Sequence, residues 1–340
     1  MKRSPVSSSR SWLGERPGLR RVYAGIQKDL DRVEIKLREL SRSNNPLISE
    51  IGRYLFQKKG KRMRPALVLL CAKAFKYKGP EDVFLSALVE LIHTSSLIHD
   101  DIIDNASTRR GKATLHAKWG PNITVLLGDY LYIKSLNLSL QCRSSRVSSI
   151  LTDVSVRMIE GEIKEYGLSR KLDLAESDYL DIIDKKTAAL ISASCRLGGI
   201  LGQASRAREE ALADYGRNLG LSFQLVDDLL DYTGDEAALG KPVMSDLAEG
   251  RVTLPLIYAL GRDGGPMRAR VETLMNERTD GPRARQEIVD IVRSRGGLDR
   301  AYQKAAEYCR KSKDCLARLP RSVYTESLAL LADFVLTRDK

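Results

Sequence analysis

Apolar residues recur at intervals of three and four along nearly the whole chain, with polar residues filling the positions between them. Residues 22–41 (VYAGIQKDLDRVEIKLRELS) carry this period with opposite charges interleaved, which predicts an exposed amphipathic helix. Ser43-Asn44-Asn45-Pro46 breaks it, and the basic stretch KKGKRMRP at 58–65 reads as a loop with Pro65 in the first turn of the next helix. The same period predicts helices over 65–77, 81–104, 122–141, 147–166, 177–204, 208–232 and 252–262. Further helices are expected over 266–277, 283–295, 298–315 and 321–337. No stretch alternates with period two over a useful length, no segment repeats at a fixed period, and the Gly/Pro breaks are too short for linkers. Residues 21–340 therefore read as a single all-α domain of about ten or more helices, behind a flexible tail of residues 1–20. The glycines at 198, 199 and 202 fit a close helix crossing or a helix end, of which packing is the simpler reading.

Composition supports helices: aromatics are 6% of 340 residues against 43% hydrophobic, with Leu, Ala and Ile abundant. Five cysteines, odd in number and without a CxxC pair, together with only three histidines, disfavour a zinc site and a disulfide framework. A reducing, cytoplasmic setting is expected. No apolar run has the roughly 20 residues that a bilayer crossing needs. The opening MKRSPVSSSRSWLG is Arg- and Ser-rich and free of acids, as in a transit peptide or a disordered tail, and the tail is preferred. A net charge of +12 raises the question of nucleic acid. The cations are spread along the chain without a nucleic-acid-binding motif, so small anionic substrates or an anionic membrane surface suit them better.

Two stretches change this picture. SLIHDDIID holds Asp100, Asp101 and Asp104, and QLVDDLLD repeats the DDxxD spacing with Asp227, Asp228 and Asp231. At about 100° per residue, the first and last acids of each set share one helix face. Carboxylates amid apolar neighbours need cations, and neither helix supplies a nearby Lys or Arg, so Mg²⁺ held by carboxylate oxygens and substrate phosphates is expected. Basic groups suited to phosphate lie around them: Lys61, Arg62 and Arg64; Arg109 and Arg110; Lys185 and Lys186 with Thr187; Lys241 and Arg251. An acidic metal site between separate basic clusters points to two phosphorylated substrates.

GKRMRP, DDIIDNASTRRG and FQLVDDLLDYTGDEAALGKPVMSDLAEGRVTLPLI span residues 60–257 in the order found in the trans-isoprenyl diphosphate synthases, the polyprenyl synthetase family, which the chain closely resembles. The resemblance implies helices around a central cavity, with Asp100, Asp104 and Asp227 on Mg²⁺ and Asp101, Asp228 and Asp231 as further ligands or as holders of metal-bound water. Arg109, Lys186, Lys241 and Arg251 would grip an allylic diphosphate, with Thr187 and Gln224 beside its reacting carbon. Lys61, Arg64, His93 and Arg110 would hold isopentenyl diphosphate. The implied activity is a prenyltransferase of isoprenoid biosynthesis, expected as a homodimer. Two departures stand out: Arg251 where the family usually has lysine, and Met244 where glycine is common.

In that family, bulky residues four or five positions before the first aspartate limit product length. Here those positions are Ser96 and Ser95, which predicts an open tunnel and a long-chain, all-trans product, with peripheral membrane contact for its release. Below them, Ile92, Val89, Leu131 and Ser135 are candidates for the next floor. The alternatives are a synthase of C15–C20 products, or a partner subunit of a heteromeric synthase; the latter should have lost acids from one motif, and none is missing. A terpene cyclase would not need GKRMRP.

Overall fold

The structure, a computed structural model, describes residues 17–57, 59–109, 111–234, 244–261, 265–276 and 282–338. Among these described residues it is all-α apart from one hairpin of two two-residue strands. The N-terminal helices are α1 (Pro17–Ala24), α2 (Gln27–Leu40), α3 (Pro46–Leu55), α4 (Met63–Ala74) and α5 (Glu81–Ile103). The hairpin β1 (Thr108–Arg109) and β2 (Lys112–Ala113) follows, with Thr108 opposite Ala113. Then come α6 (Leu115–Trp119), α7 (Pro121–Ser139), α8 (Ser145–Gly167), α9 (Glu176–Ile183), a π-helical turn (Asp184–Ala188), α10 (Ala189–Leu201) and α11 (Arg206–Thr233). The rest comprises α12 (Ser245–Ala248), α13 (Leu254–Leu260), α14 (Pro266–Asn276), α15 (Pro282–Ser294), α16 (Gly297–Cys315) and α17 (Val323–Thr337).

Helix α4 forms the axis. Its residues Ala66 to Ala72 are all fully buried, as expected of a segment apolar on every side, and it packs on α5, α10 and α17. Gly198 permits the α4–α10 crossing: a Cβ there would lie 2.5 Å from the Val68 carbonyl oxygen and 2.6 Å from the Cys71 Cβ. This is the packing role read from the sequence. Helix α10 packs on α11 and α11 on α16, while the N-terminal half of α5 joins α8 and α10 in a second core around Ile92, Leu151 and Leu190.

The sequence-based boundaries fail at specific places. The helix expected over 22–41 is split at Gly25-Ile26 into α1 and α2, and α1 begins inside the segment read as a tail. The Asn45-Pro46 pair, taken as a break only, also starts α3: Asn45 Oδ1 accepts the Leu47 and Ile48 amides, and Pro46 occupies the first turn, where a missing N–H costs nothing. The helix expected over 177–204 is interrupted by the π turn that carries Lys185, Lys186 and Thr187. Such turns often mark functional sites.

Candidate active site

Helix α5 presents His93, Ser96 and Asp100, spaced by three and four residues, to a cavity of about 1270 Å³. Helix α11 presents Phe223, Gln224 and Asp227 to the same cavity, and the π turn adds Lys186 and Thr187. The loop before α4 adds Lys61 and Arg64. Apolar side chains of α5, α7, α8 and α17 complete the wall, among them Leu97, Ile133, Ile159 and Phe334.

The six motif acids have distinct surroundings. Burial pushes the Asp100 carboxyl up to about 7, with Glu162 and Asp104 adding to the effect and Lys186 opposing it. Asp101 is buried and accepts from Arg109 Nε at 2.5 Å; the hairpin β1–β2 turns the chain back far enough for this contact. Burial still raises its pKa, against the Arg109 charge. Asp104 pairs with Arg251 Nη1 at 3.0 Å, and Asp227 with Arg338 Nη2 at 3.0 Å. Asp228 is buried between the Tyr179 hydroxyl and Gln224 Nε2, and burial holds its carboxyl well above the usual range. Asp231 accepts the Ser245 and Asp246 amides at 3.3 and 3.1 Å and the Ser245 hydroxyl at 2.8 Å, so it caps α12. These acids have no Lys or Arg partner within their own helices, but across the fold Arg109, Arg251 and Arg338 reach three of them.

Lys186 donates to Glu165 at 2.5 Å and lies 2.8 Å from Glu162. Burial works against its charge, yet Glu165, Glu162 and Asp100 outweigh that and keep the ammonium protonated. Gly161 allows this approach of α8 to the π turn, since a Cβ there would sit 2.8 Å from the Lys186 amide nitrogen. Thr187 Oγ1 donates to Gln224 Oε1 at 2.9 Å, and Gln224 donates on to Asp228 at 2.8 Å, fixing both polar side chains at the wall.

Several expected roles change. Arg62, grouped with phosphate-facing cations, is buried, with 2.6 Å contacts to both Glu34 and Glu90. Its φ of 49° is left-handed, and although Lys61, Arg62 and Arg64 all border the cavity, the Arg62 guanidinium is taken up by the two glutamates. Lys185 pairs with Glu160 and Asp181, outside the cavity lining. Ser95 is fully buried and donates to the Gly128 carbonyl at 2.5 Å, so Ser96 alone of the two serines lines the wall. Ile92, Val89, Leu131 and Ser135, the expected deeper floor, lie in packed core. Arg251 reaches Asp104, Asp246 and Glu249. Met244 has φ 65°, the conformation a glycine adopts without strain, and its side chain is buried. Arg110 and Lys241 lie outside the described residues. The sequence reading missed Arg338, whose guanidinium also bonds the Phe223 carbonyl at 2.9 Å and sits 3.9 Å above the Phe223 ring. Nothing in the sequence beside it carried a motif.

An apolar cavity with acids on two facing helices and cations at its rim suits transfer chemistry on apolar diphosphates. The polyprenyl synthetase family model matches residues 45–292, and the chain belongs to that family. It is a prenyltransferase of the isoprenoid synthase fold. It is 37% identical to octaprenyl diphosphate synthase of Haemophilus influenzae, over 89% of this chain and 92% of that one. It is 35% identical to a short chain isoprenyl diphosphate synthase of Methanothermobacter thermautotrophicus, over 92% and 98%. The crystal structure of polyprenyl synthase from Caulobacter crescentus, complexed with calcium and isoprenyl diphosphate, superimposes with a TM-score of 0.88 at 35% identity, covering 94% of this chain and 98% of that one.

Proposed function

We propose that the chain condenses an allylic diphosphate such as farnesyl or geranylgeranyl diphosphate with successive isopentenyl diphosphate units, in the presence of Mg²⁺, to give a long-chain all-trans polyprenyl diphosphate. One observation carries this reading: Asp100 and Asp227, from two helices, line the same cavity as Lys61, Arg64 and Lys186, so metal-binding oxygens and two sets of phosphate-binding cations share an apolar chamber.

Among the described residues no three metal-ligating side chains are drawn together into a ready cage. Asp100 and Asp227, single carboxylates from two helices on one cavity, fit Mg²⁺, which takes one or two carboxylates and fills its shell with water and phosphate oxygens. The raised pKa of Asp100 marks a carboxylate whose charge a cation would stabilise. Asp100, Asp104 and Asp227 would hold the metal, which when bound supplies charge neutralisation for a departing pyrophosphate. Lys186, Arg109 and Arg251 hold the allylic diphosphate, and Lys61, Arg64 and His93 hold isopentenyl diphosphate. The allylic C–O bond breaks with its electron pair leaving on pyrophosphate. The isopentenyl double bond then forms the new C–C bond, and the resulting cation loses a proton to pyrophosphate. Leu97, Ile133 and Phe334 exclude water that would quench the cation.

The small Ser96 at the wall supports a long product, and the octaprenyl relative agrees with it; the short-chain relative names the alternative. Val125, Leu126 and Val156, exposed on α7 and α8 outside the cavity lining, support a homodimer through that face. Unpaired thiols agree with a cytoplasmic setting, and no described helix is long and apolar enough to cross a membrane. Incubation with labelled isopentenyl diphosphate and Asp100→Ala or Asp227→Ala variants tests the assignment: rates should fall by orders of magnitude, and near-wild-type turnover refutes it.

A further inference from the structure

The π turn that brings Lys186 and Thr187 to the cavity begins with Asp184, a buried acid outside the cavity lining. Arg157 of α8 donates from Nη2 to its Oδ2 at 2.8 Å, and Arg217 of α11 donates from Nε to its Oδ1 at 2.6 Å. The Asp184 backbone carbonyl accepts the Ala189 amide five residues on, the bond that makes the turn π rather than α. One residue thus carries both the defining hydrogen bond of the turn and a clamp to two helices.

The same two helices are shaped to hold the turn. A Cβ at Gly161 of α8 would lie 2.8 Å from the Lys186 amide nitrogen, and one at Gly220 of α11 would lie 2.5 Å from the Ala188 Cα. Each helix therefore offers a glycine for close approach and, about one turn earlier, an arginine that fastens the start of the turn. Beyond Asp184 the side chains part: Lys185 goes to Glu160 and Asp181, while Lys186 and Thr187 line the cavity. A π bond spans one residue more than an α bond, and one residue is about 100° of helix. Relaxation to α geometry would put α9 and α10 out of step by that angle. Both could then keep their buried faces only by rotating Lys186 and Thr187 off the wall. A freely exposed ion pair would resist this little, but Asp184 is 6% exposed, and without its arginines a buried charge stands uncompensated.

Resting on the prenyl-transfer reading above, we propose that Asp184, clamped by Arg157 and Arg217, is a positioning residue for the allylic diphosphate: it locks the π turn from outside the cavity so that Lys186 and Thr187 face the substrate. It touches no reacting atom and acts only through the turn.

The test is the steady-state kinetics of the full chain with Mg²⁺, farnesyl diphosphate and labelled isopentenyl diphosphate, for the wild type, Asp184→Asn, Arg157→Gln and Asp181→Asn. Asp181 serves as the control, since it pairs with Lys164 and Lys185 but not with the clamp. Asp184→Asn should raise the KM for farnesyl diphosphate about tenfold or more and leave that for isopentenyl diphosphate within about twofold of wild type, the split that a displaced allylic-side cation produces. Arg157→Gln should raise the same constant, and Asp181→Asn should raise neither. Wild-type KM values from a folded Asp184→Asn overturn the proposal, because a merely structural acid lowers the active fraction and kcat alone. A like rise in both KM values overturns it too, as does the same split from Asp181→Asn. Should Asp184→Asn fail to fold, Arg157→Gln decides, its side chain being 48% exposed, and an unchanged KM for farnesyl diphosphate sinks the clamp. Absence of incorporation by the wild type itself strikes the prenyl-transfer reading instead, which separates the two failures.

Discussion

Asp100→Asn should stabilise the metal-free protein while destroying its activity. Burial moves the Asp100 carboxyl from its ordinary 3.8 to about 7, so folding prefers the protonated form. The folded state binds the proton more tightly than the unfolded state, so the group's favourable contribution is complete below pH 3.8 and is lost as pH rises through about 7. The rise from 3.8 to about 7 is worth at most about 4 kcal/mol. Asp100 faces an open chamber, so about 2–4 kcal/mol is the working figure. At about 2.1 cal/mol/K of unfolding entropy per residue, a chain of this length shifts its Tm by about 1.4 °C per kcal/mol, giving about 3–6 °C. Thermal denaturation in EDTA at pH 8 should therefore show the asparagine variant melting higher, with the gap closing as pH falls toward 4. Adding Mg²⁺ and inorganic pyrophosphate should raise the wild-type Tm and the variant's by less, because only the wild type offers the full carboxylate set. A variant melting at or below the wild type at pH 8 would refute the claim that this carboxylate is held at an energetic cost.

Other residues yield further expectations. Arg62→Ala leaves Glu34 and Glu90 buried without their shared guanidinium and should cost about 3–5 kcal/mol in urea denaturation; a loss below 1 kcal/mol would mean that the triad relaxes to solvent. The two serines should separate cleanly. Ser96→Phe enters the cavity and should shorten the product, while Ser95→Phe must fit a fully buried site against Gly128 and should destabilise the fold by about 1–3 kcal/mol or more, read by melting. Met244→Gly should relieve left-handed strain at the cost of buried apolar contact, leaving net stability within about 1–2 kcal/mol of wild type by chemical denaturation, whereas Met244→Val keeps the strain and should lose more.

The helical class and the cavity-facing residues Asp100, Gln224 and Asp227 were legible because period and spacing place side chains on one face of one helix, which is a local property. Partners that arrive from distant segments were not. Arg62 sits in a motif with Lys61 and Arg64, yet its bonds run to Glu34 and Glu90, each 28 residues away, and no spacing rule reports that. Arg338 reaches Asp227 across 111 residues for the same reason. Ser95 and Ser96 differ by one step of about 100° on the helix, and which of them meets the cavity depends on where α7 packs. Asp231 looked like a third acid of its motif, but the chain that returns at Ser245 makes it a helix cap. The left-handed demand at position 244, in contrast, shows in the sequence as a glycine position held by another residue, and the structure gives it φ 65°.

The most direct measurement is one incubation of the purified chain with Mg²⁺, farnesyl diphosphate and labelled isopentenyl diphosphate, followed by chromatography of the extracted prenyl alcohols. A ladder that ends in one species well beyond 20 carbons is the predicted result. No incorporation with any allylic primer would contradict the proposed reaction, and a product that stops at 15 or 20 carbons would keep the chemistry but contradict the open passage at Ser96.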